Sequence, residues 1–310
     1  MNAEDASPSR PRVLFVSASI GAGHNAVTRA LMDRMAHDAP EIEAEWVDIL
    51  DFVPRWFRAW YAGGFKLAMS RFPRSYGLGY WFANRPQGPR RGRLELLRLW
   101  KERQVLGRFG QHVRSRRADL IVNVHFLPAP YLGRLIGRGE LAARQMMVVT
   151  DFEMHRFWYA ENVCRWFAPA ERTAERLRRW GVRDEDITVA GMPVHAKWTR
   201  PLDREAIRAE WRLPGDRQIV LLSGGTDFTV GPVARVARRI AEACPSSFVV
   251  VLAGRNKKLL GRVARLPGAG ERLVGVGYTD RIHELVEVAS LMITKAGGIT
   301  TAECLAKGVP

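Results

Sequence analysis

Cysteine is scarce: Cys164, Cys244 and Cys304 are the three in a 310-residue chain. They lie far apart and form no CxxC, so a reduced, cytosolic setting is expected. Long apolar runs are missing too. No stretch approaches the roughly 18 residues of a membrane span, and the opening MNAEDASPSRPR is acidic, contains proline and has no apolar h-region. Residues 1–11 are therefore expected to be disordered. Acidic residues are outnumbered, with Asp+Glu at 32 against Lys+Arg at 48, a formal charge of +16. Such an excess favours a polyanionic partner: nucleic acid, anionic lipid or a phosphorylated substrate. An arginine-rich proteome produces the same excess with no functional meaning.

What is present is a repeating alternation of apolar strands and amphipathic helices. The first half reads VLFVSA, EAEWVDIL, ADLIVNVHF, QMMVVTDF, RWFAPA and DITVAGMPV. After prolines at 193 and 201 the cycle restarts with QIVLLSGG, a helix over Pro232–Ala243, FVVVLAGR, RLVGVGY and LMITKAGG. This pattern predicts an α/β protein of two facing Rossmann-like domains with parallel sheets, spanning 12–195 and 196–310. The boundary falls near Val194 to Pro201, and no short internal repeat is visible.

Glycine-rich turns follow strands in both halves. In VLFVSASIGAGHNAVTRAL, a strand runs into Gly21 and Gly23, and a helix follows with Val27, Ala30, Leu31 and Met35 on one face. Such a turn lets backbone approach a ligand, and the helix N-terminus favours an anion. His24 sits at its mouth. The same spacing fits a dinucleotide fingerprint through Gly21, Gly23 and Ala26, with an acid at Asp48. The plainest reading is a turn whose histidine caps the helix. In TKAGGITTAECLAKGVP, a strand ends at Thr294 and a helix begins beyond Gly297 and Gly298. The hydroxyls of Thr300 and Thr301 suit a diphosphate there, and Glu303 is placed to accept two ribose hydroxyls. Ordinary threonine capping, with a glutamate favoured by the helix dipole, explains the same residues.

Taken together these pieces resemble the processive diacylglycerol glycosyltransferases and monogalactosyldiacylglycerol synthases, relatives of the lipid-linked N-acetylglucosaminyl transferase of peptidoglycan synthesis. The matching blocks are GAGHNAVTRAL, VVTDFEMHRFWYAENV, ITVAGMPV, VVLAGRNKKL and GYTDRIHELVEVASLMITKAGGITTAECLAKGVP, which span almost the whole chain. The resemblance implies a GT-B fold, with an N-terminal acceptor domain and a C-terminal donor domain. It also implies inverting, metal-independent transfer of a hexose from UDP-glucose or UDP-galactose to diacylglycerol, with no cofactor. His24 is then the base or its closest partner. Asp151 either orients the imidazole, acts as base itself, or caps a strand–loop turn. Gly23, His155 and Trp158 fall on the acceptor side, Trp158 touching lipid or anchoring the 151–160 loop. The donor side falls to Gly225, Thr226, Arg255, Tyr278, Lys295, Gly297, Gly298, Ile299, Thr300, Thr301 and Glu303. Acceptors other than diacylglycerol, including a polyprenyl-linked one, and an inactive lipid-binding homologue are the alternatives.

Two departures stand out. The loop SGGTDFTVG places Asp227 near where phosphate oxygens would lie, which weakens Ser223 to Thr226 as a diphosphate clamp. The chain also stops at GVP, where the resemblance leads one to expect a further strand and a donor-sugar loop, so the C-terminal domain is expected to be incomplete.

Between Pro54 and Arg117 lies the least regular region. It interleaves Trp56, Phe57, Trp60, Tyr61, Phe65, Phe72, Tyr80 and Trp81 with Arg55, Arg58, Arg71, Arg74, Arg90, Arg91 and Arg93. Aromatics beside cations suit docking on anionic membrane lipids, making the protein cytoplasmic and peripherally membrane-bound. Single-stranded nucleic acid would fit by stacking, yet no recognition module accompanies the pattern, and no nucleic-acid partner is expected. Trp56, Phe57 and Trp60 also fit a buried helix face.

Overall fold

The structure is a computed structural model and describes residues 10–20, 23–71, 92–225, 231–295 and 297–310. The bulk of the chain divides at Pro193/Val194 into two compact units. Before that division β1 (Arg12–Ser17) leads into α1 (Gly23–Asp38), β2 (Glu43–Asp48) and α2 (Arg55–Arg71), of which Gly23 and the residues from Gly64 on group with the second unit. Then come α3 (Arg93–Val105), α4 (Gly107–Arg116), β3 (Leu120–Asn123), α5 (Ala129–Gly137) and β4 (Arg144–Val148). A short 3-10 turn, Arg156–Trp158, precedes β5 (Val163–Ala168), α6 (Glu171–Arg179) and β6 (Ile187–Val189). The second unit holds α7 (Arg204–Glu210), β7 (Gln218–Ser223), α8 (Val233–Ala243), β8 (Ser247–Gly254), α9 (Lys257–Val263), β9 (Leu273–Gly277), α10 (Ile282–Val288), β10 (Leu291–Thr294) and α11 (Gly298–Ala306).

All ladders are parallel. The first sheet has the order β2-β1-β3-β4-β5-β6 and the second β10-β7-β8-β9, so the expected pair of doubly wound α/β sheets is what the chain forms. Strands buried on both faces must be apolar throughout, and β8 shows it, with every residue from Ser247 to Ala253 buried. One face of the first sheet packs Leu14, Val16 and Ile121 under Phe109 and Leu132, and the other packs Met147, Val149 and Trp166 under Leu177. In the second sheet Ile219, Leu221 and Val250 meet Leu285 and Val288, while Leu222, Val249 and Val251 meet Ala237 and Val263.

The strand orders fix where sites can form. In each sheet the chain leaves one strand toward one edge and later returns to that strand's other side. The crevice at such a switch, beyond the strands' carboxyl ends, is where open α/β sheets bind ligands. It lies between β1 and β3 in the first sheet, where Val16 pairs with Asn123. In the second it lies between β7 and β10, where Ser223 pairs with Thr294.

The aromatic-rich region does not bury one face of three aromatics. Of Trp56, Phe57 and Trp60 on α2, Phe57 alone is buried, and both tryptophans are about two-thirds exposed, at 65% and 66%. Phe57 is the one that points at the core cluster holding Ile49, Leu50 and Phe109. Phe72, Tyr80, Trp81, Arg74, Arg90 and Arg91 lie outside the described residues.

Leu221 is fully buried in β7. Leu221→Ala is expected to cost about 2–5 kcal/mol in urea unfolding, the range for truncating a buried leucine. Trp60→Ala, on an exposed face, should cost far less.

Candidate functional site

The switch crevice of the first unit holds His24. β1 ends at Ser17, whose hydroxyl donates to Asn25 Oδ1 at 2.9 Å, while Asn25 Nδ2 donates to Ser19 Oγ at 2.9 Å. These bonds pin the first turn of α1 against the end of β1. From that turn the His24 ring reaches the neighbouring strand. Its Nδ1 lies 3.1 Å from the Val124 carbonyl and 2.9 Å from Thr150 Oγ1. A carbonyl only accepts, so Nδ1 carries the proton and Nε2 keeps its lone pair.

Asp151 follows Thr150 beyond β4. Trp158 Nε1 donates to Asp151 Oδ2 at 2.8 Å, which leaves the carboxylate charge facing His24 rather than rotating freely. Burial pulls the His24 imidazole below its ordinary value, and the Asp151 charge and the Val124 carbonyl pull it back up. Burial likewise raises the Asp151 carboxyl, opposed by the Trp158 hydrogen bond and by His24. Asp151 nevertheless keeps 40% of its side chain exposed, a carboxylate with one side open to the crevice.

Two more histidines complete the cluster. The His125 ring lies 4.6 Å from that of His24, edge to face, and its Nδ1 accepts from the Leu127 amide at 3.1 Å. Burial, reinforced by His24 and His155, holds His125 well below the ordinary imidazole range. His155 is held down to about 3 by burial, with Arg98 and His24 adding to it. Its Nε2 is 3.9 Å from Asp151 Oδ2, yet a ring that neutral forms no ion pair at physiological pH.

The surroundings of the other expected residues differ. His155 and Trp158 are buried, Trp158 completely. Trp158 thus sits as an anchor of the 151–160 loop would, with its indole donating to Asp151. Arg93 is exposed at the start of α3. Asp48, the acid a dinucleotide would need, already accepts from the Ser19 and Leu50 amides at 3.0 and 2.9 Å. His125 and Thr150 were missed, although each stands at the carboxyl end of a strand next to the switch crevice.

In the second unit the β7 and β10 ends place two glycine turns side by side. Gly225 has φ of 117°, a conformation that favours glycine, and its amide donates to Ser223 Oγ at 3.2 Å. Thr226 lies outside the described residues. Gly297 precedes α11, whose first residue is Gly298, and no side chain caps that helix, so its leading N–H groups are open to an anion. Lys295, Ile299 and Thr300 are half-buried around this turn. Thr301 differs from expectation: its hydroxyl donates to the Gly297 carbonyl at 2.9 Å, the usual back-bond of a helical threonine. The Arg255 guanidinium stacks 4.4 Å from the centroid of the exposed Tyr278 ring. Burial, opposed by Lys197, pushes the Glu303 carboxyl up to about 7.

The family model for monogalactosyldiacylglycerol (MGDG) synthase matches residues 24–194, and that for the glycosyltransferase family 28 C-terminal domain matches residues 219–310. The processive diacylglycerol beta-glucosyltransferase of Bacillus licheniformis is 28% identical over 211 residues, covering 66% of this chain and 52% of that protein. The chain thus spans about half the length of that relative. The protein of the same name from Staphylococcus epidermidis is 24% identical over 304 residues, covering 96% of this chain and 74% of its own. Among solved structures, Anabaena HepE in complex with UDP and glucose shares the fold with a TM-score of 0.54 at 14% identity, covering 97% of this chain and 79% of that one.

The buried histidines give a pH signature. Unfolded, His155 titrates at its ordinary 6.5; folded, it titrates at about 3. Between those values the unfolded chain holds the extra proton, so stability present above pH 6.5 is lost as pH falls toward 3. Urea midpoints should drop steadily over that window, and His155→Gln should flatten the drop.

Proposed function

The chain belongs to the monogalactosyldiacylglycerol synthase family, and from that premise we propose that it moves a hexose from a UDP-sugar to diacylglycerol by a single inverting displacement. The observation that carries this reading is the His24 imidazole, held neutral with Nε2 basic beside the Asp151 carboxylate. Such a group takes the acceptor proton as the hydroxyl oxygen attacks the anomeric carbon. The bond from that carbon to the diphosphate oxygen breaks, and UDP leaves with its electron pair. Asp151 stabilises the imidazolium that forms, and the tie to Trp158 keeps it in place.

The departing diphosphate gains charge. In this reading the uncapped start of α11 and the turns at Gly225 and Gly297 receive it without a metal, and Glu303 holds the ribose. The donor class is supported by the HepE complex, whose fold this chain shares. Glucose and galactose are both kept as donors.

The acceptor lies in a lipid surface, and the proposal extends to docking there. Among the described residues no helix is long and apolar enough to cross a membrane. The exposed Trp56 and Trp60 of α2 stand among exposed Arg55 and Arg58, a pairing that suits an anionic interface.

Incubation with labelled UDP-glucose or UDP-galactose and diacylglycerol vesicles should yield labelled glycolipid. His24→Ala should cut kcat by roughly 10²–10⁴-fold with UDP affinity unchanged. Glu303→Ala should instead weaken UDP binding by about 1.5–3 kcal/mol in calorimetric titration. Equal UDP affinity in that variant and wild type would remove Glu303 from the site, and failure to label lipid with either donor would remove the proposed acceptor.

Docking has its own readout. The protein should pellet with phosphatidylglycerol vesicles far more than with phosphatidylcholine ones, less so as salt rises, and each aligned cation should contribute on the order of 1 kcal/mol. Trp56→Ser with Trp60→Ser should reduce pelleting. Binding indifferent to lipid charge would contradict the reading.

A further inference from the structure

Helix α3 is built the wrong way round for a helix in water. Its apolar residues Leu96, Leu97 and Trp100 are 53%, 48% and 54% exposed, while Glu95 is only 6% exposed and Glu102 is buried as well. An amphipathic helix ordinarily does the reverse, and a buried charge is costly unless it is paired. Both carboxylates face a guanidinium. Arg98 Nη1 donates to Glu102 Oε1 at 2.7 Å, and the Arg98 guanidinium lies 4.2 Å from the Phe157 ring centroid. Glu95 Oε2 faces Arg156 Nε at 3.6 Å. Arg156 is itself 1% exposed, stacked 4.2 Å over Tyr159 and 5.1 Å over Trp180.

The inner partners of α3 are therefore Arg156 and Phe157, neighbours in the 3-10 turn whose third residue is Trp158. Trp158 is the donor that holds Asp151. One physical path thus runs from an exposed apolar helix face through Glu95 and Arg156 to the carboxylate beside His24.

We infer that Glu95 and Arg156 are positioning residues of the transfer site: they couple seating of the outer face of α3 in an anionic lipid surface to the placement of Asp151. The occupant follows from composition and charge, since Leu96, Leu97 and Trp100 are flanked by exposed Arg93 and Lys101, which an anionic interface satisfies on both counts. The mechanism of coupling follows from the pair's geometry. At 3.6 Å neither Glu95 oxygen is hydrogen-bonded, so the link is electrostatic and has slack. In a poorly solvated site a charge pair strengthens steeply as it shortens, and a small inward shift of α3 would draw Arg156 and its turn with it. The inference rests on the proposed function for its reaction, but not for its coupling.

The test separates coupling from activity. Hydrogen–deuterium exchange is followed over 93–105 and over 151–159, with and without phosphatidylglycerol vesicles. Wild type should show slowing in both segments. Because Glu95→Gln alone removes the carboxylate that faces a buried guanidinium at 3.6 Å, the comparison is the double variant Glu95→Gln/Arg156→Met, checked for an unchanged thermal midpoint. It should slow over 93–105 only. With UDP-sugar and diacylglycerol in the same vesicles, its kcat should fall about tenfold or more while KM for the UDP-sugar stays within about twofold, the mark of lost positioning rather than lost donor binding. Equal slowing over 151–159 in both proteins, or in neither, overturns the inference. So does a double variant with wild-type kcat. Paired slowing in a wild-type protein that labels no lipid would support the coupling and remove the proposed acceptor instead.

Discussion

The bond between His24 Nδ1 and the Val124 carbonyl exists because β1 and β3 are neighbours in the sheet though far apart in sequence. β2 occupies the other side of β1, so the chain must cross over before β3 can pair, and that crossover opens the crevice into which α1 delivers its first residues. Without a carbonyl at that height the two imidazole nitrogens would compete for the proton. With it, one nitrogen is committed to the backbone and the other is left basic. Burial then pulls the imidazole below its ordinary value, and the Asp151 charge opposes that pull. Topology thus determines tautomer, and tautomer determines which atom can act as a base.

Much of this was legible in the residues. The runs from VLFVSA to LMITKAGG coincide with strands β1 to β10, most plainly in central strands such as β1, β7 and β8, which are covered on both faces and therefore apolar along their length. His24 was legible as well, since a strand, a glycine turn and a helix leave few places for the residue that follows the glycines. His125 and Thr150 were not. A lone histidine or threonine ending an apolar strand looks like any other core residue until the strand order shows which crevice it borders. Thr301 looked like a phosphate ligand from its place after two glycines, but its hydroxyl donates back to the Gly297 carbonyl that also accepts its own amide.

Helix α3 failed to declare itself for a different reason. Periodicity is read on the assumption that the polar stripe faces water. In RLELLRLWKERQV, Glu95, Arg98 and Glu102 form a proper helical stripe, and the stripe faces inward, where Arg156 and Phe157 meet it. The pattern was present with its sign reversed. A helix of that sign makes sense beside a non-aqueous phase, and Trp56 and Trp60 on α2 show that exposed aromatics in this unit are not confined to one helix.

The second unit repeats the device with other chemistry. Its switch crevice, between β7 and β10, has the uncapped start of α11 at the end of β10. Backbone N–H groups stabilise an anion without titrating, whereas the base proposed for the first unit must titrate in order to work. Glu303 is the exception, a carboxyl just inside the helix whose start is proposed to receive a diphosphate. Fully ionised, it would repel that diphosphate. With burial lifting it to about 7, it is partly protonated at neutral pH, so the ribose diol proposed to bind there would find both a donor and an acceptor while the repulsion is reduced. Lys197 opposes the lift from the same unit, its ammonium fixed by a 2.8 Å bond to the Asp280 carbonyl. Moving Lys197 away would raise the carboxyl further and weaken it as an acceptor, so the ribose contact proposed for Glu303 depends on a lysine just past the boundary between the units.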